Sequence, residues 1–370
     1  MSLTPPDTNR GHGSRTGPRL GFFSRPLDEA PAGERYRLVA EQIAHAEAQG
    51  FDTAWVAQHH FHESEGGLPS PLVFLAHVAA RTRRIRLGTG VVTLPLENAL
   101  RVAEDAAVLD LLTGGRLEVG LGTGGTAESF EAFGVQGAER GAVFARHFGL
   151  LQDAWAGRAL PGGVRLYPAA PQLLERVWQA TFSAEGGARA GANGDGLMLS
   201  RTQPRPEGAP QATLSEIQHP IIDAYLARLP AGRVPRILGS RTLFVADSRD
   251  EALRWAEAGL RRVARRHAAQ PSQWAARVDP QAPLHALIAA YDVHVGTPDE
   301  VIATLRADSA LARVSDIVFQ VHSIDPPHAA ILRSIELTAA HVAPALGWRR
   351  ADLQAPSSLP AVRAGLLQAA

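Results

Sequence analysis

Short runs of apolar residues alternate with longer segments of helical periodicity along most of the chain. The short runs predict strands at 19–23, 53–56, 85–92, 116–121, 177–181, 197–199, 236–245 and 316–321. The longer segments predict helices at 33–49, 71–81, 99–112, 138–156, 188–192, 249–267 and 329–343. Alternation of strands and helices is typical of a parallel sheet. Repeated over about 330 residues, it favours a closed (β/α)₈ barrel, a TIM barrel, with a doubly wound open sheet as the alternative.

Three segments depart from this rhythm. Residues 201–217 are rich in Pro and Gln and weakly patterned, which predicts an insertion in a βα loop that serves as a lid or binding loop. Residues 1–17 are polar and rich in Gly and Pro, without the apolar stretch of a secretory signal, so we expect a flexible lead. Residues 18–350 are expected to form one barrel domain, and 351–370 a Pro- and Ala-rich tail.

Composition excludes several classes of chemistry. Basic and acidic residues number 37 each, so the chain has no broad basic field to attract nucleic acid or an anionic membrane. The sequence contains no cysteine and no lysine, which excludes disulfides, thiolate sites, Schiff bases and a P-loop lysine. No segment approaches the roughly twenty apolar residues of a membrane span. We therefore expect a cytoplasmic protein without nucleic-acid or membrane partners.

Two histidines follow the second predicted strand. Functional residues of a parallel barrel lie at the carboxyl ends of its strands, which is where His59 and His60 fall. An imidazole there can act as a proton donor near neutral pH, and we assign that catalytic role to His59 and a packing role to His60. A metal site needs a third ligand, for which the nearby Glu63 and Glu65 are unconvincing, so no metal is predicted.

Glycine-rich segments mark the third and fourth strands. Residues 120–125 fit G-x-G-x-x-G, but they follow the fourth strand and do not open directly into a helix, as a dinucleotide-binding fingerprint would. The glycines of this run leave bare backbone that would let a flat ring system or a phosphate approach at Gly122 and Thr123, or they only allow a tight turn. In the third strand, Thr89 and Gly90 suggest a cofactor contact, with a crowded barrel interior as the alternative.

A phosphate site is predicted after the fifth strand. Hydroxyls and glycine amides precede a helix there, in the run Thr181-Phe182-Ser183-Ala184-Glu185-Gly186-Gly187. Such groups at a helix N-terminus favour an anion, although Ser183 is equally suited to an N-cap role. Arg140 and Arg146 begin the preceding helix, and either could pair with the phosphate or remain a surface charge.

These motifs together resemble the bacterial-luciferase family of flavin-dependent monooxygenases. The segment Trp55 to His60 reads W-x-x-Q-H-H and resembles the family's W-x-x-E-H-H, and the block 85–122 is similar to its G-T-x-V, A-E-D and T-G-G-R elements. Arg140 occupies the place of an arginine that contacts flavin phosphate in the family. Segments 177–200 and 296–301 are also similar, so the resemblance extends from about Arg19 to Trp348.

The resemblance implies a (β/α)₈ barrel that binds reduced FMN as a co-substrate and uses O₂ to oxygenate a small organic substrate. It also implies a homodimer and, in many members, a separate flavin reductase. FMN is expected to bind better than FAD. The family's non-proline cis peptide at the end of the third strand corresponds to Gly90-Val91.

The sequence departs from the family pattern at three positions. Gln58 replaces the usual Glu before the two histidines, which casts doubt on a carboxylate-tuned imidazole. Thr123 stands where the luciferase α-type subunit has a phosphate-binding arginine, and Gly122 replaces its reactive cysteine. Light emission is therefore not implied, and phosphate binding would depend on Arg140 and the 181–187 turn.

Three other functions compete with the monooxygenase interpretation. A deazaflavin-dependent hydride-transfer enzyme on the same barrel would suit the same glycine-rich segments. A catalytically idle flavin-binding protein is another possibility, although the retained His59 disfavours it. A carbohydrate-active barrel is a distant third, because no pair of carboxylates stands out at the strand ends.

Overall fold

The computed structural model describes residues 17–269 and 278–348, and in it ten strands form one parallel sheet that closes into a barrel. The strands are β1 Arg19–Ser24, β2 Thr53–Val56, β3 Arg86–Thr89, β4 Val92–Thr93, β5 Leu117–Gly122, β6 Val177–Ala180, β7 Gly196–Leu199, β8 Ile237–Val245, β9 Val293–Gly296 and β10 Asp316–Gln320. Strand β10 pairs with both β1 and β8, which closes the barrel and excludes the open sheet. The predicted TIM barrel is confirmed. The predicted lead and tail lie almost entirely outside the described residues.

Helices connect the strands on the outside of the barrel. They are α1 Ala32–Ala48, α2 Pro71–Ala79, α3 Ala99–Thr113, α4 Ala127–Ala132, α5 Arg140–Trp155, α6 Ala184–Ala192, α7 Leu214–Arg228, α8 Arg249–Ala269, α9 Leu284–Ala290, α10 Pro298–Ala307, α11 His328–Leu337 and α12 Ala343–Ala345, with a π-helical segment Thr338–Val342 between the last two. None of the described helices is long and apolar enough to cross a membrane.

The structure differs from the predicted elements in several places, and helices α4, α9 and α10 lie in segments for which no helix was predicted. Helix α7 begins inside the segment predicted to be a loop, where Thr213 and Glu216 form a capping box, and Pro220 within the helix weakens its sequence signal. Helix α6 begins at Ala184 rather than at 188, because the Ser183 side chain caps the amide of Gly186. Strand β9 was not predicted; its pairing with β8 is set by tertiary contacts.

The third predicted strand is divided at its end. A cis peptide joins Gly90 and Val91, as the family resemblance implied, so that prediction is confirmed. Before the cis bond, β3 pairs with β2 and β5; after it, the two-residue strand β4 pairs with β5 alone.

Charged and aromatic layers fill the barrel interior from its floor upward. At the floor, Arg19 pairs with Asp316 at 2.6 Å and Arg86 with Glu118 at 2.6 Å. Above them lie the rings of Trp55 and Trp178, whose centroids are 5.7 Å apart and whose planes are nearly perpendicular. Trp55 is paired with Gly88 on the neighbouring strand, and a Cβ at Gly88 would overlap the indole. The interior is therefore packed, and chemistry is confined to the mouth, at the carboxyl ends of the strands.

Candidate active site

The order of strands divides the barrel mouth into two arcs. The ends of β3, β5 and β6 are neighbours and carry what we call the glycine arc, which comprises Gly90, Gly122, Thr123 and the 181–187 turn. The ends of β7, β8, β10, β1 and β2 are also consecutive and carry what we call the arginine arc, whose polar side chains are those of Arg201, Thr242, His322, Ser323, Asp325, Arg25 and His59. Each predicted site residue except Arg140 lies on one of these two arcs or on the strands leading to them.

His59 lies between a guanidinium and a carboxylate on the arginine arc. Its Nδ1 is 2.7 Å from Glu65 Oε2, and its Nε2 is 2.7 Å from Arg25 Nη2. Because arginine can only donate, Nε2 accepts that hydrogen bond and Nδ1–H donates to Glu65. Burial, together with the positive charge of Arg25, lowers the pKa of His59, although Glu65 opposes this shift. The imidazole is therefore held neutral and in one tautomer.

The carboxylate that tunes His59 comes from Glu65, not from the residue before it. Gln58 is buried and donates from Nε2 to Glu97 Oε1 at 2.7 Å, while its Oε1 accepts from the amide of Thr93 at 2.7 Å. The hydrogen bond from His59 lowers the pKa of Glu65 to about 2. A carboxylate therefore does contact the imidazole although Gln58 replaces the usual Glu. It belongs to Glu65, which the folded β2–α2 connection brings to His59.

His60 faces an aromatic cluster. Its ring lies 4.9 Å from the ring of Phe133 and nearly perpendicular to it, and 6.0 Å from that of Phe61. Burial lowers the pKa of His60, and its Nε2 has no hydrogen-bond partner among the described residues. These contacts fit the packing role predicted for this histidine.

The glycine arc is filled largely by the protein's own atoms. The Thr89 hydroxyl donates to the carbonyl of Gly120 at 2.8 Å and accepts from its amide at 2.9 Å, which binds β3 to β5. A Cβ at Gly90 would lie 2.5 Å from the Phe23 ring, and one at Gly122 would lie 2.7 Å from Val91 Cγ2. The close approaches predicted at these positions therefore involve neighbouring side chains, which favours the crowded-interior interpretation.

The predicted phosphate turn forms an exposed helix start. Ser183 caps α6 by accepting from the Gly186 amide at 3.1 Å, and Thr181 Oγ1 accepts from the Ser183 amide at 3.1 Å. Phe182 is 57% exposed, and Glu185 in the first turn is also exposed. Gly187 serves packing, because a Cβ there would lie 2.6 Å from the carbonyl of Ile221 on α7.

In the described part of the chain, Arg140 makes no hydrogen bond to this turn. It is the first residue of α5, is exposed, and donates from Nη1 to the carbonyl of Gly137 at 3.2 Å. Arg146 is exposed as well. The arginine that joins α5 to α6 is Arg189, which donates to Gln179 Oε1 at 3.3 Å and covers the Phe144 ring at 5.8 Å.

Two arginines of the site were missed by the sequence reading. Arg25 directly follows β1, and Arg201 is the second residue after β7. Arg201 is only 5% exposed; its Nη1 is 3.2 Å from Thr242 Oγ1 and 3.5 Å from Ser323 Oγ. Burial and the charge of Arg25 lower the pKa of Arg201 to about 9. Their position immediately after strands was the only available signal.

A histidine–aspartate pair follows β10. Nδ1 of His322 is 2.8 Å from Asp325 Oδ2, and burial lowers the pKa of His322 to about 4 despite this carboxylate. Both residues line a cavity of about 300 Å³, which Arg25 also lines. Within residues 17–269 and 278–348, no group of three His, Cys, Asp or Glu side chains could hold a metal ion.

The closed parallel barrel with helices between its strands defines the class of fold. Comparison of the sequence with known protein families identifies the family. Residues 19–315 match the family described as luciferase-like monooxygenase, so the chain belongs to this family. It is 30% identical over 239 residues to 4-hydroxyprotoasukamycin monooxygenase of Streptomyces nodosus subsp. asukaensis, over 62% of this chain and 64% of that protein. It is 29% identical over 199 residues to limonene 1,2-monooxygenase of Rhodococcus erythropolis, over 50% of each. The chain spans between about half and two thirds of the length of these curated relatives.

Solved structures share the whole barrel. Monooxygenase RslO1 from Streptomyces bottropensis has a TM-score of 0.71 and 26% identity, with 88% of this chain and 99% of that chain covered. The oxygenating constituent of 3,6-diketocamphane monooxygenase from Pseudomonas putida, in complex with FMN, has a TM-score of 0.67 and 18% identity over 89% and 98% of the two chains. The coenzyme F420-dependent tetrahydromethanopterin reductase from Methanopyrus kandleri has a TM-score of 0.65 and 18% identity over 89% and 99%. At 18% identity, the last two show the fold alone.

Proposed function

We propose that this protein is an FMN-dependent monooxygenase that uses reduced flavin and O₂ to oxygenate a small organic substrate. The observation that carries the proposal is the neutral imidazole of His59, held between Glu65 and Arg25 at the barrel mouth. The two named monooxygenases among the relatives support the oxygenase class. The FMN named in the 3,6-diketocamphane monooxygenase structure supports the cofactor.

The glycine arc fits a flavin phosphate. The N-terminus of α6 is exposed, follows β6 directly and presents the hydroxyls of Thr181 and Ser183. Such a terminus favours an anion through its amides and the helix dipole. Thr181, Ser183 and the first amides of α6 would hold the phosphate, and Arg140 would add its charge from the start of α5. A single terminal phosphate suits this place, so we propose FMN rather than FAD.

The arginine arc would serve the organic substrate and proton control. When bound, reduced flavin would supply the electrons that activate O₂ for transfer of one oxygen atom to the substrate. His59 would hold a proton on Nδ1 against Glu65 and keep Nε2 available to exchange a proton when the bond from Arg25 is released. The packed tryptophan layer below the mouth would keep water from entering through the barrel floor.

A deazaflavin-dependent hydride-transfer enzyme is the second candidate, because the F420-dependent reductase shares the fold. Mixing the protein with reduced FMN and O₂, and separately with reduced deazaflavin, distinguishes the two in one stopped-flow experiment. A monooxygenase should slow the release of hydrogen peroxide relative to free reduced FMN and leave the deazaflavin unaffected. Tight deazaflavin binding without any effect on FMN oxidation would favour hydride transfer, and binding of flavin without either effect would favour an idle protein.

His59 provides the test of the catalytic assignment. His59→Ala should leave the affinity for FMN almost unchanged but accelerate peroxide release about a hundredfold, the lower end of the range for acid–base help. His285→Ala, at an exposed position of α9, is the matched control. Unchanged peroxide release in the His59 variant would show that the assignment is wrong. Glu65→Gln should give part of the same effect, because the hydrogen bond that fixes the His59 tautomer is weakened.

The proposal includes a cytoplasmic homodimer supplied with reduced flavin by a separate reductase. Large apolar side chains are exposed on two neighbouring helices, at Val73 on α2 and at Val108, Leu111 and Leu112 on α3, with Leu112 70% exposed. A second copy of this chain would cover them. Light scattering should give twice the mass of one chain, and Leu112→Asp should reduce it to one. A monomeric wild type would contradict this part.

A further inference from the structure

Two arginines on the arginine arc have no carboxylate partner among the residues that the structure describes. Neither Arg25 nor Arg201 lies within 4.0 Å of an acidic oxygen in the described part of the chain. Arg201 is buried and, within residues 17–269 and 278–348, its guanidinium donates hydrogen bonds to the hydroxyls of Thr242 and Ser323; the half-buried Arg25 donates to His59. Buried charges are normally paired, because removing a charge from water is costly. The protein therefore leaves buried donor capacity without an anion.

The nearest carboxylates are engaged elsewhere. Glu65 accepts from His59, and Asp325 is bonded to His322 and lies 3.6 Å from Arg262. Burial lowers the pKa of both arginines. This effect outweighs the opposing one of Glu65 and Asp325 on Arg25 and of Asp325 and Asp292 on Arg201. With a pKa of about 9, Arg201 remains charged at neutral pH.

The two arginines share one side of the mouth. The strands β7, β8, β10 and β1 are consecutive in the barrel. Arg201, Ser323 and Arg25 follow the ends of β7, β10 and β1. Thr242 lies within β8, paired with Gln320 at the end of β10. Arg25 is near enough for its charge to lower the pKa of Arg201. A cavity of about 300 Å³ is lined by Arg25 and His322 and gives room for a small molecule beside Arg25. A guanidinium presents a planar set of donors that matches an oxyanion in two-point contact.

We propose that Arg25 and Arg201 bind the oxyanion group, a carboxylate or a sulfonate, of an acidic organic substrate. This inference rests on the proposed function, because it places the substrate on the arginine arc while the flavin occupies the glycine arc. The Thr242 and Ser323 hydroxyls orient the Arg201 guanidinium, and His59 orients that of Arg25. A neutral substrate would leave both guanidinium groups without an anion.

Calorimetric binding of three probes of equal chain length tests the proposal without flavin or O₂. We expect hexanoate or pentanesulfonate, each with five alkyl carbons, to bind the full chain at least tenfold more tightly than hexanamide. The tighter of the two acids identifies the oxyanion. Arg201→Gln and Arg25→Gln should each remove most of that difference, whereas Arg201→Lys should retain part of it. Arg146→Gln, at an exposed position of α5, is the matched control and should bind the probes like the wild type.

Two results would overturn the proposal. Equal binding of both acids and the amide would show that the arc does not select an anion. A loss of FMN affinity in Arg201→Gln with unchanged riboflavin affinity would show that the guanidinium holds the flavin phosphate instead. Should Arg201→Gln fail to fold, judged by its thermal transition, Arg25→Gln and Arg201→Lys carry the test. Because these measurements use no oxygen reaction, their failure is separate from a failure of the monooxygenase assignment.

Discussion

The two arcs of the barrel mouth are built on opposite principles. On the glycine arc, missing side chains make room for the protein's own groups, as at Gly90 beside Phe23 and at Gly122 beside Val91. On the arginine arc, large charged side chains are brought into partly or fully buried positions and oriented by neutral partners. The glycine arc determines the path of the backbone, and the arginine arc holds positively charged side chains in buried or partly buried positions. We accordingly propose that the flavin occupies the glycine arc and the substrate the arginine arc.

The largest effect is expected from adding a methyl group to the strand that carries the glycine arc. A Cβ at Gly120, two residues before Gly122, would overlap the carbonyl of Thr89, a backbone atom that cannot move aside. Gly120→Ala should therefore lower the free energy of unfolding by about 3 kcal/mol, the upper range for overpacking. Urea unfolding measures this change.

Gly125→Ala is the matched control for that substitution. Nothing lies within 4 Å of the Cβ position at Gly125, so the change should stay within about 0.5 kcal/mol. Similar losses in the two variants would mean that the glycines of this segment are not distinguished by packing, and the description of the arc would be wrong.

Of the two arcs, the arginine arc should contribute more to the loss of folding stability at acidic pH. The folded-state pKa of His322, about 4, lies below its ordinary value of 6.5, so between these pH values the unfolded chain binds more protons. The free energy of unfolding therefore falls as the pH decreases through that window. Between pH 7 and pH 5, His322 should contribute a loss of about 2 kcal/mol.

Between pH 7 and pH 5, the free energy of unfolding of His322→Gln should fall by about 2 kcal/mol less than that of the wild type. Urea unfolding at the two pH values measures this difference. His285→Gln, exposed on α9, should follow the wild type. Parallel pH dependence of the His322 variant and the wild type would contradict the assignment of acid sensitivity to this arc.

The smallest effect concerns Arg140. Because its side chain is exposed, Arg140→Ala should weaken FMN binding by no more than about 1 kcal/mol, as for a solvent-screened ion pair. Riboflavin, which lacks the phosphate, should bind the variant and the wild type equally. Fluorescence titration of both ligands measures the difference, and an equal loss for both would indicate an effect on folding instead.

Much of the fold was predictable from the sequence because its periodicity is local. Apolar runs of strand length identify eight strands, which are all those of the sheet except β4 and β9. Their parallel arrangement puts the carboxyl ends at one mouth. Helix α7 was not predicted because Pro220 and the polar residues before it obscure the helical periodicity of its apolar residues. Strand β9 escaped because four residues of weak alternation become a strand only beside β8.

For the candidate site, sequence determined which residues stand at strand ends, and the tertiary structure decided which of them meet. His59 and the 181–187 turn were identifiable because His59 lies shortly after β2 and the turn follows β6 directly. The partnership of His59 with Glu65 and Arg25 was not, because it joins a loop after β2 to the end of β1, 34 residues earlier in the chain for Arg25. The burial of Arg201 was not predictable either, since it depends on β8 and β10 closing the barrel around it, and burial is a property of neighbours that are distant in sequence.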